Sequence, residues 1–133
     1  MLAGGDALAA CVTSGTRLQA TSGSVYSATG NTYGSSGLPT NTSALDASAG
    51  GIINAANAIT MALSQNRVNG VSARDAGSQV NLQNGLTLTR TAASTGVRGL
   101  SASAGGAVTV NGPLSIALTN GSGNYGIYAE LAN

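Results

Sequence analysis

Leu100-Ser-Ala-Ser-Ala-Gly-Gly106, with Ala107-Val-Thr-Val110 and Leu114-Ser-Ile-Ala117 after it, holds a pattern that the chain repeats. The seven-residue opening recurs as Leu45-Asp-Ala-Ser-Ala-Gly-Gly51 and Val71-Ser-Ala-Arg-Asp-Ala-Gly77, and a fourth copy begins at Ile127-Tyr-Ala-Glu-Leu131. The anchors Leu45, Val71, Leu100 and Ile127 recur at intervals of 26, 29 and 27 along the chain, and alanine follows each two places later, at Ala47, Ala73, Ala102 and Ala129. Counting on by eight, nine and eight from the first three anchors gives Ile53, Val80 and Val108, and six more gives Ile59, Leu86 and Leu114. Each of these six has an apolar residue two places later: Ala55, Leu82 and Val110, then Met61, Leu88 and Ile116. A spacing of two is the period of a strand.

Three short strands in each repeat of about 27 residues predict an all-β chain wound as a β-helix, or β-solenoid, one coil per repeat. Like residues then stack one coil apart at the inter-strand spacing of about 4.8 Å. The predicted interior columns are Leu45, Val71, Leu100 and Ile127; Ile53, Val80 and Val108; Ile59, Leu86 and Leu114; and Met61, Leu88 and Ile116. Arg90 interrupts a further column between Leu63 and Leu118, and is expected to turn outward or to end its strand. The connection from Ile59, Leu86 and Leu114 to the next anchor varies, at 12, 14 and 13 steps along the chain, and is assigned to loops. Ala55, Ala56, Ile59, Ala62 and Leu63 also suit a short helix. Residues 22–44 are rich in Ser, Gly, Thr and Asn and read as irregular, with a short strand at Val25-Tyr26. The chain therefore divides into an N-terminal cap with irregular first coil over residues 1–44 and regular coils over 45–133, open at the C-terminal end.

Composition agrees with a narrow interior. The 133 residues include 20 glycines, no Phe, no Trp and four Tyr, so Ala, Val, Leu and Ile must fill the core, and aromatic rings are expected to be too large for it. Charged residues make up 7% and the net charge is +1, while 42% of residues are apolar, which is not the balance of a disordered chain. The five basic residues, Arg17, Arg67, Arg74, Arg90 and Arg98, are scattered along the sequence, which argues against nucleic acid as a partner. Histidine is absent and Cys11 is the one cysteine, so a Ser/His/Asp triad, a Cys/His pair and the usual zinc sets lack their residues, and no cofactor is expected. No apolar run reaches the roughly 20 residues of a membrane helix. Residues 1–10 lack a basic start and carry Asp6 where a signal peptide would be apolar.

Several local patterns have a bland and a functional reading. Asp46, Asp75 and Glu130 could line a polysaccharide-cleaving face, but Asp46 follows its anchor by one residue and Asp75 by four, so they read as surface residues. Thr87 and Thr89 could begin an ice-binding ladder, left incomplete by Ala62 and Ala117. Leu8-Ala-Ala-Cys11 resembles a lipoprotein processing site without its hydrophobic region, and Asn41-Thr-Ser43 and Asn120-Gly-Ser122 match a glycosylation pattern common by chance in such a chain. Tyr125 and Tyr128, flanking a corner at Gly126-Ile127, are the candidate binding surface.

Ala10-Cys-Val-Thr-Ser-Gly-Thr16, together with Gly105-Gly-Ala-Val-Thr-Val-Asn-Gly-Pro-Leu-Ser-Ile-Ala-Leu-Thr-Asn-Gly121 and Ser122-Gly-Asn-Tyr-Gly-Ile-Tyr128, resembles the passenger region of a bacterial (type V) autotransporter near its mature N-terminus. The likeness spans residues 10 to 133 in style, with no diagnostic motif. It implies a right-handed β-helix displayed outside the outer membrane by a separate C-terminal barrel. The implied function is adhesion, self-association or biofilm formation in virulence, with protease or esterase domains as the family's exceptions; with no histidine and no Gly-x-Ser-x-Gly motif in a triad context, no enzymatic activity is expected of this chain. The implied partners are a host-cell, matrix or glycan surface, or a second copy through the solenoid ends, with no membrane insertion by this segment. Members often pair the opening cysteine with another nine residues later, where this chain has Ala20, leaving Cys11 unpaired. The rival readings are a carbohydrate-active β-helix or phage tail-spike fragment, and a small ice-binding solenoid.

Overall fold

The computed structural model describes residues 17–34, 38–119 and 121–131, and among these there are thirteen strands and no helix. The first coil is β1 (Leu18–Ala20), β2 (Val25–Ala28) and β3 (Thr32–Tyr33). The second is β4 (Ser43–Ala47), β5 (Ile52–Ala55) and β6 (Ile59–Leu63), and the third β7 (Asn69–Arg74), β8 (Gln79–Leu82) and β9 (Leu86–Arg90). The fourth is β10 (Arg98–Ser103), β11 (Ala107–Val110) and β12 (Leu114–Ala117), and β13 (Tyr125–Glu130) starts another turn. All pairings are parallel and join each strand to its counterpart one coil away, giving sheets β1-β4-β7-β10-β13, β2-β5-β8-β11 and β3-β6-β9-β12. The protein is a β-solenoid of about four turns. Residues 55–63, which also suit a short helix by composition, form the end of β5, a three-residue connection and all of β6.

The register stacks like on like. Leu18, Leu45, Val71, Leu100 and Ile127 are successive Cα partners, as are Ile53, Val80 and Val108, then Ile59, Leu86 and Leu114, then Met61, Leu88 and Ile116. Alternation within each strand sends these residues inward. Leu45, Val71, Ile53, Val80, Met61 and Leu88 are wholly buried, and Ile59, Leu86 and Leu100 nearly so. Val108 and Ile116 are half-buried against this core. Leu114 and Ile127 depart from the interior assignment, being 43% and 66% exposed. They sit in the column, but among the described residues no strand stacks on their outer side.

The winding starts earlier than residue 45. Leu18 lies against Leu45, Tyr26 against Ile53 and Tyr33 against Met61, so residues 18–33 complete a coil in register with the second. Residues 1–16, including Cys11 and the Ala10–Thr16 opening, lie outside the described residues. The expectation that rings are excluded from the core is also corrected, since Tyr33 is buried and Tyr26 packs half-buried against the core. Both belong to the first coil. Its third strand has two residues where the next two coils have five, leaving room for larger side chains, and the Tyr33 hydroxyl accepts a hydrogen bond from Gly30 N at 3.1 Å.

The corner between the first and second strands of a coil takes two successive residues with positive φ, Ser22-Gly23, Ala49-Gly50 and Ala104-Gly105, with glycine second each time. Glycine adopts this conformation without a Cβ penalty. In the third coil the corner is one residue longer, from Asp75 to Gly77, which is why Val80 follows its anchor by nine residues while Ile53 and Val108 follow theirs by eight.

Arg90 ends β9, one of its two expected placements, but its side chain turns inward beneath the Leu63 column and is 7% exposed. Its Nε donates to the Ala92 carbonyl at 2.6 Å, while both terminal nitrogens are buried with no hydrogen-bond partner among the described residues. An unpaired buried cation is costly, and an apolar side chain of similar volume removes that cost. Arg90→Leu is therefore expected to stabilise the protein by about 1–3 kcal/mol. Thermal unfolding followed by circular dichroism checks this, and a lowered Tm contradicts it.

Candidate functional site

The five-stranded sheet presents the most developed polar face. Its outward residues run in columns across the strands. One column is Ser43, Asn69, Arg98 and Tyr125, a second is Gln19, Asp46, Ser72, Ser101 and Tyr128, and a third brings Arg74, Ser103 and Glu130 together. Arg17 precedes β1 on the same face, and Arg67 lies in the loop before β7. Four arginines that are scattered in sequence are thus gathered at one sheet, while Arg90 is turned into the interior.

Asp46 organises one end of this face. It is 3% exposed, and its Oδ2 accepts from Arg17 at 3.0 Å and from Gln19 Nε2 at 3.3 Å, with an Arg74 guanidinium nitrogen 3.6 Å away. Arg17 is further held by donating from Nε to the Ser43 carbonyl at 3.2 Å. A carboxylate shared by two guanidiniums leaves a net positive charge, and it fixes two long side chains that would otherwise lose rotamer freedom on binding. Arg98 is positioned differently, its guanidinium carbon lying 3.8 Å from the centroid of the Tyr128 ring. Neither Arg67 nor Arg98 has a carboxylate partner among the described residues.

Between these side chains run two depressions. One, of about 360 Å3, is lined by Asn41, Arg67, Asn69, Gly96 and Arg98, and the other, of about 170 Å3, includes Arg17, Asp46, Ser72, Arg74 and Arg98 in its lining. They share Asn41, Asn69 and Arg98 and so form one trough across the strands.

The tyrosine pair borders this trough. Tyr125 and Tyr128 lie within β13, on the outward face of the sheet and not at a corner, with ring centroids 5.7 Å apart and planes at 63°, an edge-to-face contact. Tyr125 is half exposed, and the Tyr128 hydroxyl donates to Glu130 at 3.0 Å. That hydrogen bond, reinforced by the Glu130 charge, raises the Tyr128 pKa above its usual value.

The other candidates are separated by the register. Asp46 stacks on Ser72 and Glu130 on Ser103, while Asp75 occupies a corner and accepts from Ala49 N at 3.1 Å. No two of these carboxylates share a column. On the third sheet Thr32, Thr60, Thr87 and Ser115 form one outward hydroxyl column, but the next outward column alternates as Ala62, Thr89 and Ala117. On the second sheet Asn81 Nδ2 donates to Asn54 Oδ1 at 2.9 Å, a side-chain ladder that supports the stacking. Among the described residues no group of three His, Cys, Asp or Glu could hold a metal, and no helix is long and apolar enough to cross a membrane.

The arginine face escapes a reading of charge along the chain. The repeat register holds the missing signal. Arg17, Arg67, Arg74 and Arg98 all lie within four residues of an anchor, Leu18, Val71 or Leu100, whereas Arg90 belongs to the third strand. Compared with known protein families, curated proteins and solved structures, the chain finds no match in any of the three.

Proposed function

We propose that this chain is a surface-displayed adhesive module, the β-helical passenger of a bacterial autotransporter, which acts outside the cell by binding and without catalysis. The observation that carries the reading is the gathering of four arginines on one outward face of a β-solenoid whose core is aliphatic. A stack of parallel coils is a stiff rod whose flat faces present side chains at fixed spacing, a geometry suited to engaging extended partners. The sequence resemblance over residues 10 to 133 supplies the cellular setting. The position of Asp46 favours binding over glycan cleavage, because the carboxylate on the trough is already engaged by two guanidiniums.

The test is adhesion of protein-coated beads to cultured epithelial cells and to extracellular-matrix films. The wild-type protein is expected to retain beads above an albumin-coated control. Equal retention of the two contradicts the reading.

Self-association is a second route to the same biology, favoured by the apolar side chains left bare on the last turns. Ile127 and Leu131 are 66% and 90% exposed beside a shallow depression of about 300 Å3 lined in part by Ala102, Ala129 and Leu131. For the chain as given, a second copy stacked end to end buries these groups. Sedimentation at rising concentration is expected to show a dimer, and a constant monomer mass argues against it.

A further inference from the structure

The chemistry of the trough narrows the partner. Its side chains comprise four guanidiniums, one carboxylate engaged by two of them, and neutral amides and hydroxyls such as Asn41, Asn69, Ser72 and Ser101. Taking Arg17, Arg67, Arg74 and Arg98 against Asp46 in the lining and Glu130 at its border, the local charge is 4 − 2 = +2, on a chain whose net charge is +1. Arg17 directly precedes β1 and Arg98 opens β10, strands that are three steps apart in the sheet, about 14 Å at the usual inter-strand spacing. The positive charge is therefore spread along a line across the coils and not gathered at a single point.

We propose that this trough binds an acidic polysaccharide, a sugar chain bearing carboxylate or sulfate groups that lies across the strands of the five-stranded sheet. Guanidinium groups match both anions through paired N–H donors, and Arg98 and Arg67 are the two without a carboxylate partner among the described residues. The amides and hydroxyls between them provide partners for sugar hydroxyls. Contact of Arg98 with the Tyr128 ring and the hydrogen bond from Arg17 to Asp46 hold two of the four cations in place before the ligand arrives, and Asp46 draws Arg74 to 3.6 Å. A single-stranded nucleic acid fits less well. Such strands are held by a succession of aromatic platforms, whereas the two rings that border the trough both lie on β13 in edge contact with each other, and Tyr128 already has a face covered by Arg98.

This inference deepens the adhesive reading and rests on it for its biological setting, while the binding itself is tested on the purified protein. Fluorescently labelled heparin and hyaluronate oligosaccharides, carrying sulfate and carboxylate respectively, and labelled neutral dextran are titrated at low salt and followed by anisotropy. At least one acidic probe is expected to bind, more weakly as salt rises, and dextran is not; which acidic probe binds more tightly identifies the anion. The double variant Arg67→Ala/Arg98→Ala, which spares the Asp46 cluster, is expected to lose at least tenfold in affinity with an unchanged circular dichroism spectrum. Gln79→Glu, on the exposed face of another sheet, changes the charge without touching the trough and is expected to bind within twofold of wild type.

The proposal is overturned if neither acidic probe binds, if the double variant binds as tightly as wild type, or if a labelled oligo-dT binds more tightly than both acidic probes. Loss of affinity equal to that of the double variant in Gln79→Glu also overturns it. Oligosaccharide binding without bead adhesion overturns the adhesive reading and leaves the trough standing. Bead adhesion undiminished in the double variant, with no acidic oligosaccharide bound by the wild-type protein, does the reverse.

Discussion

Leu88→Asp is expected to abolish folding. Leu88 is wholly buried in the third coil, stacked between Met61 and Ile116, and Arg90, two residues on along the inner face of β9, has its Nε committed to the Ala92 carbonyl. A carboxylate placed there has no basic partner within its column and no route to water. The cost of burying it unpaired is at least several kcal/mol, against about 5–15 kcal/mol for the whole stability of a typical domain. Far-UV circular dichroism should show loss of the strand signal. The matched control is Thr87→Asp, one residue earlier and exposed on the outer face of the same strand, which should retain the wild-type spectrum. Comparable spectra and melting temperatures for Leu88→Asp and wild type would overturn the register, because a slip of one residue exchanges the two faces.

Gly106→Ala should be nearly as damaging for a steric reason. A Cβ at this position would stand 2.3 Å from the Ala73 carbonyl oxygen and 2.4 Å from its carbon, both main-chain atoms of the coil below. Backbone cannot swing aside as a side-chain tip can, so relief requires the two coils to part at this corner. Overpacking of this kind costs about 3 kcal/mol, which lowers the melting temperature of a domain this size by roughly 10 °C. Gly126→Ala provides the comparison. It substitutes the same residue type, but a Cβ there meets nothing within 4 Å, so the melting temperature should stay within about 2 °C of wild type. Equal melting temperatures for the two variants would contradict the corner geometry.

These two substitutions mark different depths of legibility. Leu88 is recognisable as interior from the six-residue offset and the period of two, because stacked parallel strands must place equivalent residues over one another and the repeat writes that rule into the chain. The role of Gly106 is less visible. A paired glycine suggests a turn, but only the approach of the Ala73 carbonyl shows which atom of the neighbouring coil excludes a side chain. The first coil is half legible. Leu18 and Ala20 repeat the anchor and its alanine one period before Leu45 and Ala47, yet the Ser- and Gly-rich stretch after them obscures the two short strands that follow. The tyrosines that fill that coil could not be placed inside by residue type alone.

Chain periodicity and the dearth of large side chains were enough to establish a stack of three-strand coils with a narrow aliphatic interior, since each follows from spacing and volume within one repeat. Stacking in three dimensions settled the rest. It alone aligned Arg17, Arg67, Arg74 and Arg98 along one trough, buried Asp46 between two of them and left Ile127 uncovered. The physical reason is that charge and burial depend on distances through space, and in a solenoid the nearest neighbours of a residue lie a full coil away in the chain.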